Sequence, residues 1–170
     1  KVKYAGLRVS NIDGHKGTFK VTISGVMAPS GIEKIQIPTW CSDNQSDIVW
    51  YTAIKEAEGI YSATMDVKKH SYHFGNYKMS VYATMGNGIF TGVCAGSQTI
   101  NPDNYLYSKY VSASQREVWL LGANAEQVQF PTWSETNGQD DIVWYSGVNR
   151  GNGTWSVTVD SNNHKHGGTY

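Results

Sequence analysis

The sequence holds only two cysteines, Cys41 and Cys94, in 170 residues. That excludes a fold stapled by several disulfides, since one bridge is the most the chain can form. No apolar run approaches the ~20 residues of a membrane-spanning helix. Net charge is missing as well, with 14 Lys and Arg against 14 Asp and Glu. A nucleic-acid partner needs a basic face and is therefore not expected. No segment carries an apolar stripe at helical period, which excludes a helix bundle. Catalytic signatures are also lacking: there is no Gly-x-Ser-x-Gly elbow, no His-Glu-x-x-His and no phosphate loop. The neighbours Asp140 and Asp141 would point to opposite faces of an extended chain, which does not suit a pair of carboxylates working across one bond. No enzyme and no cofactor are expected.

Glycine (18), tyrosine (11) and tryptophan (6) are plentiful, a composition suited to strands and turns. The chain also says one thing twice. PTWCSDNQSDIVWY at 38–51 returns as PTWSETNGQDDIVWY at 131–145. The offset is 94 residues both from Asp47 to Asp141 and from Gly59 to Gly153. His70 aligns with His164, Gly75 with Gly168 and Tyr77 with Tyr170. Such a period is a whole small domain, too long for a solenoid unit. The expected domains are 1–100 and 101–170, joined by the short linker Asn101-Pro102-Asp103-Asn104. The first copy carries ten basic and seven acidic residues, the second four and seven. The first runs on past Tyr77 through Val81, Tyr82, Phe90 and Ile100. The second stops at Tyr170 and is expected to lack its last two strands, as a truncated chain would.

Strand signals recur along both copies. Phe19, Val21 and Ile23 alternate with polar residues, as do Ile35 and Ile37, then Tyr61, Ala63, Met65 and Val67, then Tyr77, Met79, Val81 and Ala83. A period of two buries one face of a strand. Further strands are expected at 3–10, 47–53 and 89–94, about seven per copy, with Tyr105, Tyr107 and Tyr110 on the first strand of copy 2. Ser30-Gly31, Gly59, Gly75-Asn76, Gly86-Asn87-Gly88 and Asn152-Gly153 supply turns. The expected fold is all-β: tandem immunoglobulin-like sandwiches, the second incomplete.

The repeated block is aromatic on both strand faces. Ile48 and Trp50 point one way, Val49 and Tyr51 the other, and Ile142, Trp144, Val143 and Tyr145 repeat the arrangement. Either one tryptophan is core and the rest are ordinary strand residues, or the rings form a platform on which the C–H faces of sugars can stack. The candidate ligand-binding residues are Trp40, Asp47, Trp50 and Tyr51 in copy 1, and Trp133, Asp141, Trp144 and Tyr145 in copy 2, the carboxylates being placed to accept from hydroxyls. The polar loops 42–47 and 134–141 lack the spacing of a helix–loop–helix calcium site and read as Asx-turns. His70 and His164 read as turn residues bonded to backbone; His73, His166 and the run His164-Lys165-His166 lack a third zinc donor, so no metal is expected. Cys41 and Cys94 are either one accessory bridge or two separate thiols, since copy 2 has Ser134 in place of Cys41.

Taken together, these residues resemble the group B streptococcal Bsp-like repeat family. The pattern is Pro38-x-Trp40, a polar acidic loop, Asp47 before Trp50-Tyr51, then Gly59, Tyr61, Met65, His70, Gly75 and Tyr77. Copy 2 repeats it at Pro131, Trp133, Asp141, Trp144, Tyr145, Gly153, Trp155, Val159, His164, Gly168 and Tyr170. The resemblance covers most of 9–85 and 111–170. It implies accessory modules, often in tandem, on secreted Gram-positive surface proteins and cell-wall hydrolases. The resulting expectation is a non-catalytic module, secreted and held at the cell wall or surface, that binds wall polysaccharide or peptidoglycan. The alternatives are an adhesin that binds a host protein such as a glycoprotein, and a passive spacer, which would bury the whole aromatic block.

Overall fold

In the computed structural model, which describes residues 1–170, alternation in the sequence becomes fourteen strands and two short 3-10 turns. The first compact unit, Lys1–Asn101, holds eight of the strands. One antiparallel sheet runs β1 (Gly6–Asp13), β2 (Thr18–Ser24), β6 (Ile60–Asp66), β5 (Ile54–Ala57). The other runs β4 (Val49–Thr52), β3 (Ile32–Trp40), β7 (Gly75–Met85), β8 (Phe90–Ile100). This strand order is that of an immunoglobulin sandwich with one strand, β4, added beside the third.

The inner faces follow the alternation. On one sheet Phe19, Val21 and Ile23 pair across the ladder with Met65, Ala63 and Tyr61. On the other, Ile35 and Ile37 lie beside the β7 set Tyr77, Met79, Val81 and Ala83. All of these are buried except Ala63, which is partly covered. Phe19 meets the Tyr77 ring edge-on, with centroids 5.9 Å apart, the geometry that aromatic quadrupoles favour.

The structure departs from the expected strands around residue 53. The stretch 47–57 carries two strands in different sheets, with β4 paired to β3 and β5 to β6. The chain changes sheets at Ala53, whose N–H donates to the Ile35 carbonyl at 2.9 Å. Gly147 makes the same crossing in the second unit, donating to Val128 at 2.8 Å. A Cβ at Gly147 would stand 2.7 Å from that carbonyl oxygen, so only a small residue permits the step. The strand expected at 89–94 continues to Ile100 as β8.

The second unit, Pro102–Tyr170, repeats the plan with six strands. They are β9 (Tyr105–Tyr110), β10 (Gln115–Leu121), β11 (Gln129–Thr132), β12 (Val143–Ser146), β13 (Val148–Gly151) and β14 (Thr154–Asp160). The sheet order β13-β14-β10-β9 reproduces β5-β6-β2-β1, and the pair β11-β12 reproduces β3-β4. No strand takes the places of β7 and β8. The core shrinks to Phe130, Trp155, Val157 and Val159, with Val118, Leu120, Val128 and Tyr145 only partly covered. A groove of about 670 Å³ remains beside β11, lined in part by Leu106, Val118, Trp133, Val159 and Tyr170. No helix of either unit is long and apolar enough to cross a membrane.

Phe19→Ala removes a fully buried ring from the first unit's core and is expected to cost about 3–5 kcal/mol. Urea unfolding followed by circular dichroism checks it; a loss below about 1 kcal/mol would show that the two sheets do not close on this ring.

Candidate functional site

The repeated motif converges on a buried polar lock. Asp66 caps a 3-10 turn, Val67–His70, by accepting from the Lys68 N–H at 2.9 Å. In such a turn, residues three apart share a face, so Val67 and His70 are both buried. His70 is completely enclosed. Its Nδ1–H donates to the Asp47 carbonyl at 2.8 Å. A carbonyl only accepts, so Nδ1 carries the proton and Nε2 accepts, here from the Tyr51 hydroxyl at 2.7 Å. Tyr51 Oη in turn accepts from the Asp66 N–H at 3.3 Å. Burial lowers the His70 pKa, opposing the charged ring. It pushes Tyr51 up to about 12, so the phenol stays a donor.

Asp47 adds a second arm. Its carboxylate accepts from the N–H groups of Cys41 (3.1 Å) and Ser42 (3.0 Å), from the Ser42 hydroxyl (2.6 Å) and from His73 Nδ1 (2.8 Å). Burial disfavours its charge, but the Ser42 hydroxyl, His73 and the two N–H groups outweigh that and hold the pKa at about 2. Tyr77 then ties the turn to β7, its hydroxyl donating to the His73 carbonyl at 2.6 Å. This is the tyrosine corner of immunoglobulin-like domains, a tyrosine near the start of the sixth strand bonded to backbone a few residues upstream.

The second unit builds the same lock. His164 Nδ1–H donates to the Asp141 carbonyl at 3.0 Å and Nε2 accepts from Tyr145 at 2.8 Å. Asp141 accepts from the Ser134 N–H at 3.0 Å and the His166 N–H at 3.4 Å. Burial raises its pKa and these donors lower it further, for a net decrease. Tyr170 donates to the His166 carbonyl, repeating the corner. Here His166 pairs through Nε2 with Asp140 at 3.2 Å, whereas His73 pairs with the buried Asp47.

The eight residues singled out in the sequence therefore separate. Asp47, Tyr51 and Asp141 lie inside, and their hydrogen-bonding capacity is spent on the lock. Tyr145 is partly covered and is used in the same way. The carboxylates expected to accept from ligand hydroxyls beside an aromatic platform are corrected: Asp47 and Asp141 close their own loops and do not face outward. Trp40 and Trp133 are half-buried. Trp50 and Trp144 stand out from the edge strands β4 and β12, 48% and 62% exposed. Each lies across the ladder from a proline, Pro38 or Pro131.

Sequence reasoning passed over Tyr82 and Phe90. The Tyr82 ring lies 5.5 Å from Trp50 and stacks on Phe90 at 5.0 Å. The available signal was phase: Tyr82 occupies the polar half of the β7 alternation, where an aromatic has no core role.

His70 and His164 bond to backbone, as their turn positions suggested. No group of three His, Cys, Asp or Glu side chains is arranged to hold a metal. Cys41 and Cys94 are separate thiols. Cys94 lies opposite Val81, and Trp40, the residue before Cys41, lies opposite Lys78. Several residues of β7 therefore separate the two thiols, on the order of 10 Å at ~3.3 Å per residue, beyond the ~7 Å that a disulfide spans between Cα atoms.

Acid should unlock the first unit in two stages. His70 has a folded pKa below its ordinary 6.5, so its contribution is complete above about pH 6.5 and drains away as the pH falls through the folded value. The Asp47 carboxyl, at about 2 against 3.8, contributes fully above about pH 4 and is lost between there and pH ~2, a stake of about 2 kcal/mol. Urea midpoints measured across this range should fall in two steps, and Asp47→Asn should abolish the lower one. A midpoint unchanged from pH ~7 to ~3 would show that the lock is not held by these groups.

Comparison with curated proteins finds no match. Among solved structures, the chain is similar to a polysaccharide deacetylase of Bacillus cereus at 12% identity and a TM-score of 0.41, covering 64% of this chain and 30% of that one. It is similar to a segment of Staphylococcus aureus TarS at 8% identity and a TM-score of 0.40, covering 92% and 56%. The chain thus spans 30% to 56% of the length of these structures, and likeness at this level decides neither fold nor function. The doubled motif and the doubled lock agree with the match to known sequence families: the chain belongs to the GBS Bsp-like repeat family, matched at residues 8–98 and again at 101–170.

Proposed function

We propose that the chain is a non-catalytic cell-wall-binding module of a secreted Gram-positive surface protein or peptidoglycan hydrolase, and that its ligand is wall glycan or peptidoglycan. One observation carries this reading. Trp50 and Trp144 occupy the same strand position in the two units, and both are held in solvent, 48% and 62% exposed. A tryptophan buries a large area when it is covered, so two equivalent rings left in water on well-anchored strands are ready for an apolar partner surface. The C–H face of a sugar ring offers such a surface, and its hydroxyls can remain hydrated around the indole.

Duplication supports the same reading. One ring on a sugar binds weakly, but two tethered rings on a repetitive polymer raise the effective concentration of the second contact. Membership of a repeat family fits an accessory role beside another domain. A passive spacer has no use for two exposed tryptophans at equivalent places.

The test is co-sedimentation with purified Gram-positive cell walls. The intact chain should pellet with them. Trp50→Ala with Trp144→Ala should weaken binding by tenfold or more, an effect of about 1.4 kcal/mol or above, and each single variant should lose less. An intact chain that stays in the supernatant at micromolar concentration would end this reading.

A further inference from the structure

Beyond the paired tryptophans, the first unit carries a row of rings on one sheet face. Trp50 of β4, Tyr82 of β7 and Phe90 of β8 lie on the outer face of the β4-β3-β7-β8 sheet. Trp50 and Tyr82 are tilted by 35° at 5.5 Å, and Tyr82 and Phe90 are parallel within 4° at 5.0 Å. Phe90 is 52% exposed. Gly92 pairs with Tyr82 across the ladder, where a Cβ would make only ordinary contact with the tyrosine ring, at 3.7 Å. Beside the rings, Gln36 lies opposite both Thr52 and Tyr82, and Thr84 lies opposite Phe90. Gln36, Thr52 and Thr84 are neutral donors and acceptors, and the exposed Lys34, opposite Thr84, adds one cationic donor at that end of the row.

We infer that this row is an extended subsite for a linear glycan, with successive sugar rings set against Trp50, Tyr82 and Phe90 and their hydroxyls met by Gln36, Thr52 and Thr84. The inference rests on the glycan-binding reading above and names the residues and ligand length that it implies for one unit. Area argues for a polymer of small rings over a protein. Two half-exposed rings and a partly covered tyrosine offer at most roughly 300 Å², against about 1,200–2,000 Å² buried in a stable protein–protein interface. The amide of Gln36 and the hydroxyls of Thr52 and Thr84 suit sugar hydroxyls, to which Lys34 opposite Thr84 can also donate.

The probe is a series of N-acetylglucosamine oligomers of increasing length, titrated into the full chain by calorimetry, with wall co-sedimentation in parallel. Affinity should rise with length over the first few sugars. Tyr82→Ala and Phe90→Ala should each lower affinity for the longer oligomers by about tenfold and leave the monosaccharide unchanged. Both side chains are at least partly exposed, so the variants should keep the parent's circular dichroism; Phe90→Tyr, which keeps the ring, should bind as the parent does. If the chain binds walls and both alanine variants bind the oligomers within twofold of the parent, the row is overturned and the wall-binding reading stands. Oligomer binding through the row without wall binding would support the row and remove the wall. If neither ligand binds, both fall.

Discussion

Each unit depends on a histidine side chain enclosed between a tyrosine hydroxyl and a backbone carbonyl. His70 donates through Nδ1 to Asp47 and accepts through Nε2 from Tyr51; His164 does the same with Asp141 and Tyr145. A single ring thereby joins the end of the polar loop and the edge strand that follows it to the turn after β6 or β14, which lies 19 to 23 residues further along. At His70 the carbonyl keeps a proton on Nδ1, and burial disfavours a second proton on Nε2. A buried polar group left without its partner costs far more than the bond gains when it is made, so these three pieces hold together or separate together.

That constraint explains how an exposed ring can be well positioned. Tyr51 and Trp50 are neighbours on a strand, so their side chains leave opposite faces. Anchoring Tyr51 inward through His70 sets Trp50 outward, and a one-residue slip would reverse both. The polar loop is held from the other side, where the Asp47 carboxylate collects four donors from Cys41, Ser42 and His73. The acidic residues that looked available for a ligand thus serve the ring indirectly, by keeping its strand in register.

The two units also separate what is needed for the lock from what is needed for the sandwich. The second unit keeps the histidine, the tyrosine corner and the outward tryptophan with a core of only four well-buried side chains. The strands it does not share with the first unit are those that complete the second sheet. They also supply Tyr82 and Phe90, so the same two strands decide both the depth of the core and the breadth of the aromatic surface.

Much of this was legible in the residues. The doubling of Pro-Thr-Trp and Asp-Ile-Val-Trp-Tyr, the period-two alternation of β2, β6 and β7, and the glycine turns determined an all-β tandem with an incomplete second copy, because those signals are local and repeat with the backbone's own period. The direction of each motif side chain was not legible. Residues 48–51 are apolar on both faces, so alternation said that Trp50 and Tyr51 part company but not which one goes inside. That was decided by a histidine nineteen residues away, by the crossing at Ala53 and by the strands laid against β3. Those are contacts between segments far apart in the chain, and no local pattern of residues encodes where they meet.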